Sequence, residues 1–224
     1  MHRFSALIFM LILTSPASAA DVTDCIKAQQ ARQQGQFDAA IQLYTSCIDM
    51  GELTGRQLSM ALNNRGNAHL DADQYNQAIA DFDEAINVNP EYAKPYNNRG
   101  LAKQLKGLYS DAIIDYKQAV KRDPVDLNAL NNLAWIQATC PVATIRNGVE
   151  ALKIALLVNE ATEFGNAATL DTLAAAYAET GNFEQAINYQ RQALGLADGV
   201  ERVDQEKRLA QYRNNIPFRD LTGL

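Results

Sequence analysis

Residues 59–92 read SMALNNRGNAHLDADQYNQAIADFDEAINVNPEY, and residues 93–126 read AKPYNNRGLAKQLKGLYSDAIIDYKQAVKRDPVD. Laid one over the other, Asn63-Asn64-Arg65-Gly66 falls on Asn97-Asn98-Arg99-Gly100 and Ala78-Ile79 on Ala112-Ile113. Phe82 falls on Tyr116, Ala85 on Ala119 and Pro90 on Pro124, always at an offset of 34. A fixed period in this range means stacked supersecondary units, each too small to close a core alone. Each unit reads as two helices. The first runs from Asn63 toward a turn at Asp73-Gln74. The second places Tyr75, Ala78, Ile79, Phe82, Ala85 and Ile86 at helical spacing. It stops at Asn89-Pro90, because proline disfavours helical geometry in the residue before it and cannot donate to the ladder. Small residues recur where the helices must approach, Gly66 and Gly100 on the first and Ala78 and Ala112 on the second, with Phe82 or Tyr116 as filler.

These positions resemble the tetratricopeptide repeat (TPR) family: small at repeat positions 8, 20 and 27, aromatic at 24, proline at 32. The likeness extends outward with lower fidelity. Gly35-Gln36-Phe37, Ala40, Tyr44 and Cys47 fit a first repeat. Leu130, Leu133, Ala134, Ala151 and Ala155 fit a fourth, with a longer inter-helix loop from Cys140 to Asn147. Leu170, Leu173, Ala174, Tyr177, Gly181-Asn182-Phe183, Ala186 and Ala193 fit a fifth, where Gln190 takes the aromatic position. The resemblance implies an all-α, right-handed α-solenoid of about five helix-turn-helix repeats, near 21–54, 59–92, 93–126, 127–160 and 167–198, within a solenoid spanning 21–195. Residues 199–224 read as a capping helix and tail, because a terminal repeat must cover an open apolar end. The tail Ile216-Pro217-Phe218 is expected to fold back.

The first 20 residues read as a signal peptide. Met1-His2-Arg3 is positive, an apolar run follows from Phe4 to Leu13, and Pro16-Ala17-Ser18-Ala19-Ala20 offers small residues for cleavage after Ala19 or Ala20. The run is too short for a membrane span of ~20 residues, and no cysteine follows the small residues directly. The expectation is a periplasmic or secreted protein with no stable membrane insertion. The 224 residues carry 20 basic against 26 acidic side chains, with 47% hydrophobic and 8% aromatic content. That is globular composition, and its acidity argues against nucleic acid as partner.

The polar residues of the repeats set the functional expectations. Arg65 and Arg99 occupy position 7, where the resembled family usually has an apolar residue, and Asp81 and Asp115 occupy position 23 at similar height on the second helix. Both charges are absent from the fourth and fifth repeats, so structural pairs Arg65–Asp81 and Arg99–Asp115 are expected; the alternative is an anion site. Asn63, Asn97 and Asn131 hold position 5, and Asn64, Asn98 and Asn132 hold position 6. The resemblance implies that these positions border a concave groove. There an amide, with both donor and acceptor, either clasps an extended peptide backbone or bonds the neighbouring repeat. Asn67, Lys94, Leu101, Gln104 and Trp135 are further groove candidates, Trp135 being read as buried or half-buried rather than an exposed anchor. Lys94 alone does not make the charged clamp by which some TPR domains hold a C-terminal carboxylate.

Cys25 and Cys47 lie at positions 5 and 27 of the first repeat, which antiparallel packing sets side by side, so a disulfide is expected in an oxidising compartment. Cys140 is left over, and His69 is the only histidine beyond His2. With one histidine and no CxxC, no metal site is expected, and no phosphate loop, G-x-S-x-G or H-E-x-x-H occurs. No catalytic residue or cofactor is assigned. The sequence therefore reads as a non-catalytic TPR adaptor or scaffold that binds a protein or peptide segment in its groove. The alternative is a structural or assembly subunit acting through self-association or as a component of an envelope complex. An enzyme using Cys140 has no base to name.

Overall fold

The computed structural model describes residues 19–221; most of the expected signal peptide lies outside them. The described residues form eleven helices: α1 (Ala19–Gln33), α2 (Phe37–Asp49), α3 (Gly55–Asp71), α4 (Tyr75–Val88), α5 (Ala93–Leu105), α6 (Tyr109–Arg122), α7 (Leu127–Thr139), α8 (Gly148–Ala161), α9 (Ala167–Glu179), α10 (Phe183–Leu196) and α11 (Gly199–Arg213). They make five helix pairs and one terminal helix. Each helix packs on its chain neighbours, and the first helices of successive repeats also touch. None is long and apolar enough to cross a membrane.

The turn inside a repeat is written into one position. Gly35, Asp73, Gly107 and Gly181 all stand fifteenth in their repeats, and all have positive φ, between 57° and 81°. The next residue then donates its N–H back across the helix end: Gln36 to Ala31, Gln74 to His69, Leu108 to Lys103 and Asn182 to Tyr177, at 2.8–2.9 Å. This is a Schellman stop, which favours glycine because a left-handed residue with a Cβ is strained. The fourth repeat lacks it. There Arg146 donates to the carbonyls of Cys140 and Pro141 and holds the longer loop.

Two contacts close the second and third helix pairs. A Cβ built on Gly66 would lie 2.6 Å from the Phe82 ring, and one on Gly100 would lie 2.8 Å from the Tyr116 ring. The aromatics Tyr44, Phe82 and Tyr116 are buried against such small residues. The charges form a second column. Arg65 donates to both carboxylate oxygens of Asp81 (2.8 and 2.6 Å), and Arg99 to both of Asp115 (2.9 and 2.6 Å). Each arginine also reaches back to position 25 of the preceding repeat, Arg65 to Thr45 and Arg99 to Asp83. Burial works against the Arg99 charge, but its bonds to Asp115 and Asp83 outweigh that and raise its pKa. With both guanidinium edges engaged, these arginines are built into the wall rather than held out for an anion.

The ends are secured differently. Cys25 and Cys47 are joined, their Cα atoms 5.6 Å apart, across the first pair. At the other end α11 buries Leu209, Tyr212 and Gln205. Arg208 donates to Asp171 on α9 at 2.9 Å, and the same carboxylate oxygen accepts from Gln190 at 2.8 Å. Gln190 therefore gives up the aromatic filler of its repeat to help hold the carboxylate that anchors the cap.

Reducing the Cys25–Cys47 bridge should cost about 3 kcal/mol, for a closed loop of this length, read from urea unfolding with and without reductant. Asp115→Leu should destabilise by about 3 kcal/mol, since it strands Arg99 and Lys103 without their common partner; equilibrium unfolding of the full chain measures it. Burial raises the pKa of Tyr44, Tyr116 and Tyr212. The unfolded chain releases those protons near pH 10 while the fold keeps them, so stability should fall as pH rises beyond about 10. The share of tyrosinate absorbance due to these three side chains should then appear together with loss of helical circular dichroism, not before it.

Candidate groove and its occupant

The first helices of the repeats line one continuous face with two hollows. The hollow toward the N-terminal end, about 420 Å³, is bordered by Met60, Asn63, Asn64, Asn67, Lys94, Asn97 and Asn98. The second, about 330 Å³, lies between α5, α7, α9 and α11 and is lined by Leu101, Gln104, Asn131, Asn132, Trp135, Asp171, Arg208 and Asp220. The sequence-derived groove residues thus divide between two hollows of one surface.

The asparagines are joined to one another. Asn132 donates to Asn97 at 3.0 Å, Asn97 to Asn98 at 3.3 Å, Asn98 to Asn63 at 3.0 Å and Asn63 to Asn64 at 3.3 Å. Asn64 then bonds the Tyr44 hydroxyl. Position 6 of one repeat is bonded to position 5 of the repeat before it, so the amides stitch the stack along its groove side. Asn63 and Asn97 are buried, leaving the half-buried Asn64, Asn98 and Asn132 to present any remaining donor or acceptor capacity. Asn131 stands apart, its buried Oδ1 without a hydrogen-bond partner. Asn67 and Leu101 are half-buried and Lys94 is exposed.

Trp135 is half-buried, and its indole N–H donates to the Asp220 carboxylate at 2.9 Å. The Gln104 side-chain amide donates to the same oxygen at 3.3 Å. Gln104 is oriented for this by the buried Tyr116, whose hydroxyl donates to its Oε1 at 3.0 Å. The Asp220 N–H donates to the Thr139 carbonyl at 2.9 Å. Phe218 lies 5.8 Å from the Trp135 ring, and the Arg208 guanidinium sits over both rings, 5.5 Å from Trp135 and 5.2 Å from Phe218. Arg219 pairs with Glu179 at 2.7 Å, beside Arg146. The tail does fold back, and it does so into the second hollow. Asp220, Arg219, Arg208 and Asp171 were not among the sequence-derived site residues. The available signals were Gln190 in place of an aromatic and Asp171 in place of asparagine at position 5.

Cys140 is buried, and burial raises its thiol pKa; an activated nucleophile requires the opposite shift. His69 is half-buried and bonds Gln74 at 2.7 Å, with its other ring nitrogen 3.8 Å from Asp81. Among the described residues no group of three or more His, Cys, Asp or Glu side chains is placed to hold a metal ion.

Residues 66–107 match a family model described as TPR repeat, and residues 93–126 and 166–197 each match one described as tetratricopeptide repeat. Among solved structures, a thermophilic TPR protein of Thermus thermophilus is similar at 17% identity and a TM-score of 0.63, over 87% of this chain and 99% of that one. The MamA protein is similar at 18% identity and 0.60, over 86% and 94%. YrrB, titled a TPR protein with an unusual peptide-binding site, is similar at 18% and 0.59, over 84% and 92%. The repeat spacing, the paired helices and these matches agree, and the chain is a tetratricopeptide-repeat protein.

Proposed function

We propose that the protein is a non-catalytic interaction module which holds an extended peptide segment of a partner protein along the first-helix face, and that it works after export to the periplasm. The observation that carries the binding reading is the chain's own tail. An extended segment already lies in the groove, held by a main-chain hydrogen bond, a carboxylate contact and ring packing. YrrB, which shares this fold, is described as having a peptide-binding site, in keeping with such a use. Export is supported by the charged, apolar and small-residue order of residues 1–20 and by the disulfide, which suits an oxidising compartment. The capped end, where α11 buries its Leu209 and Tyr212 against the last repeat, favours a monomeric module over an open-ended stack.

A photo-crosslinking residue at Lys94, on the groove side, should capture partner protein from the periplasm. The same residue at Lys117, exposed on α6, should not. Equal capture at both positions, or capture at Lys117 alone, refutes the groove reading.

A further inference from the structure

The tail's contacts are those a foreign peptide would make, and they specify what that peptide looks like. The helix α11 stops at Arg213, and Asn215, with φ of 57°, turns the chain back. From there the segment makes four separable contacts with the first-helix face, one of them the Arg219 pair with Glu179 on α9 at 2.7 Å. Phe218 packs against Trp135 with the rings tilted by 43°, under the Arg208 guanidinium. The Asp220 carboxylate accepts from Trp135 and from Gln104. The Asp220 N–H bonds the Thr139 carbonyl. The receptor side of each is fixed without the tail: Tyr116 orients Gln104, and Asp171 holds Arg208. Two uncharged N–H donors converging on one oxygen suit a carboxylate, which makes the stronger, charge-assisted bond. The main-chain bond is indifferent to side chain, so sequence preference resides in the ring, in the acid two residues later, and in the base between them that pairs with Glu179.

We propose that residues 218–220 are a built-in competitor for this half of the groove, and that the external partner presents an extended segment with an aromatic residue two positions before an aspartate or glutamate. The proposal rests on the peptide-binding reading given above and adds the motif and the competition. A tethered segment acts at an effective concentration of order millimolar, so it lowers the apparent affinity of any external peptide of the same chemistry. Releasing the tail should therefore expose a tighter site.

The test uses a fluorescein-labelled synthetic peptide of residues 214–224 and fluorescence anisotropy with the full chain. The Phe218→Ala/Asp220→Asn variant should bind it ~10-fold or more tightly than the wild type, the intramolecular competitor being gone. The same peptide with asparagine at its aspartate should lose most of that affinity, as should the released variant carrying Trp135→Phe, which keeps a ring but removes the indole donor. Since Phe218 also packs near Tyr212, Asp220→Asn alone is the second variant. The sole tryptophan, Trp135, reports it: its emission should shift on addition of peptide at lower concentrations than in the wild type. Equal affinity for wild type and released variants, no binding to either, or binding indifferent to the aspartate overturns the proposal. Groove capture of partners lacking the aromatic-x-acid pattern would leave the interaction reading standing while this one falls.

Discussion

The close approach of the two helices in each repeat is the constraint on which everything else depends. In the second and third repeats the ring at position 24 meets a glycine at position 8, and the distances at Gly66 and Gly100 leave no room for a methyl group without moving the ring. That contact sets the spacing of the pair. The spacing brings positions 7 and 23 within reach, so that an arginine and an aspartate meet side by side, and it fixes the height at which the first helices present their outer faces. The groove is a consequence of interior packing, and where the ring is replaced, as by Gln190 in the fifth repeat, a hydrogen bond to Asp171 takes its place.

Polar residues then do two jobs that apolar packing cannot. The Arg65 and Arg99 forks join each second helix to its own first helix and to the repeat before it. The asparagine chain does the same on the groove side. A solenoid has only nearest-neighbour contacts, so bonds between repeats are what make the stack cooperative rather than a string of separate hairpins. Because the asparagines bond one another, the groove at their level has a fixed floor, with less free amide capacity than their number suggests.

The repeat unit was legible because its signals are local and periodic: glycine at a left-handed turn, small residues opposite a ring, proline after the second helix. The arginine–aspartate pairs were legible because both charges occur in the second and third repeats and both are absent from the fourth and fifth, although the first repeat, with Lys27 opposite Leu43, breaks the pattern. The partners of the asparagines were not, since an amide at a groove position gives the same sequence signal whether it faces a ligand or the next repeat. The anchoring of the cap was hidden for another reason. Gln190 and Asp171 read as departures from the repeat until Arg208, 37 residues beyond Asp171, is seen to complete them. The tail is the extreme case: Gln104 and Asp220 meet across 116 positions, and nothing in the period of the repeats points to it.

What emerges is a rigid helical face whose N-terminal half is paved with joined amides and whose C-terminal half carries its own peptide. Trp135, read from sequence as a buried or half-buried groove candidate, is the link between the two descriptions: packed on its wall, it still offers its N–H to an acid in the groove. The most direct measurement is amide hydrogen exchange at Asp220, whose N–H is bonded to Thr139, in labelled full chain with and without saturating unlabelled peptide of residues 214–224. The account predicts slow exchange in the free protein and fast exchange once the peptide takes the tail's place. Slow exchange in both states would mean that the tail is a permanent part of the fold and that the groove it fills is closed to partners.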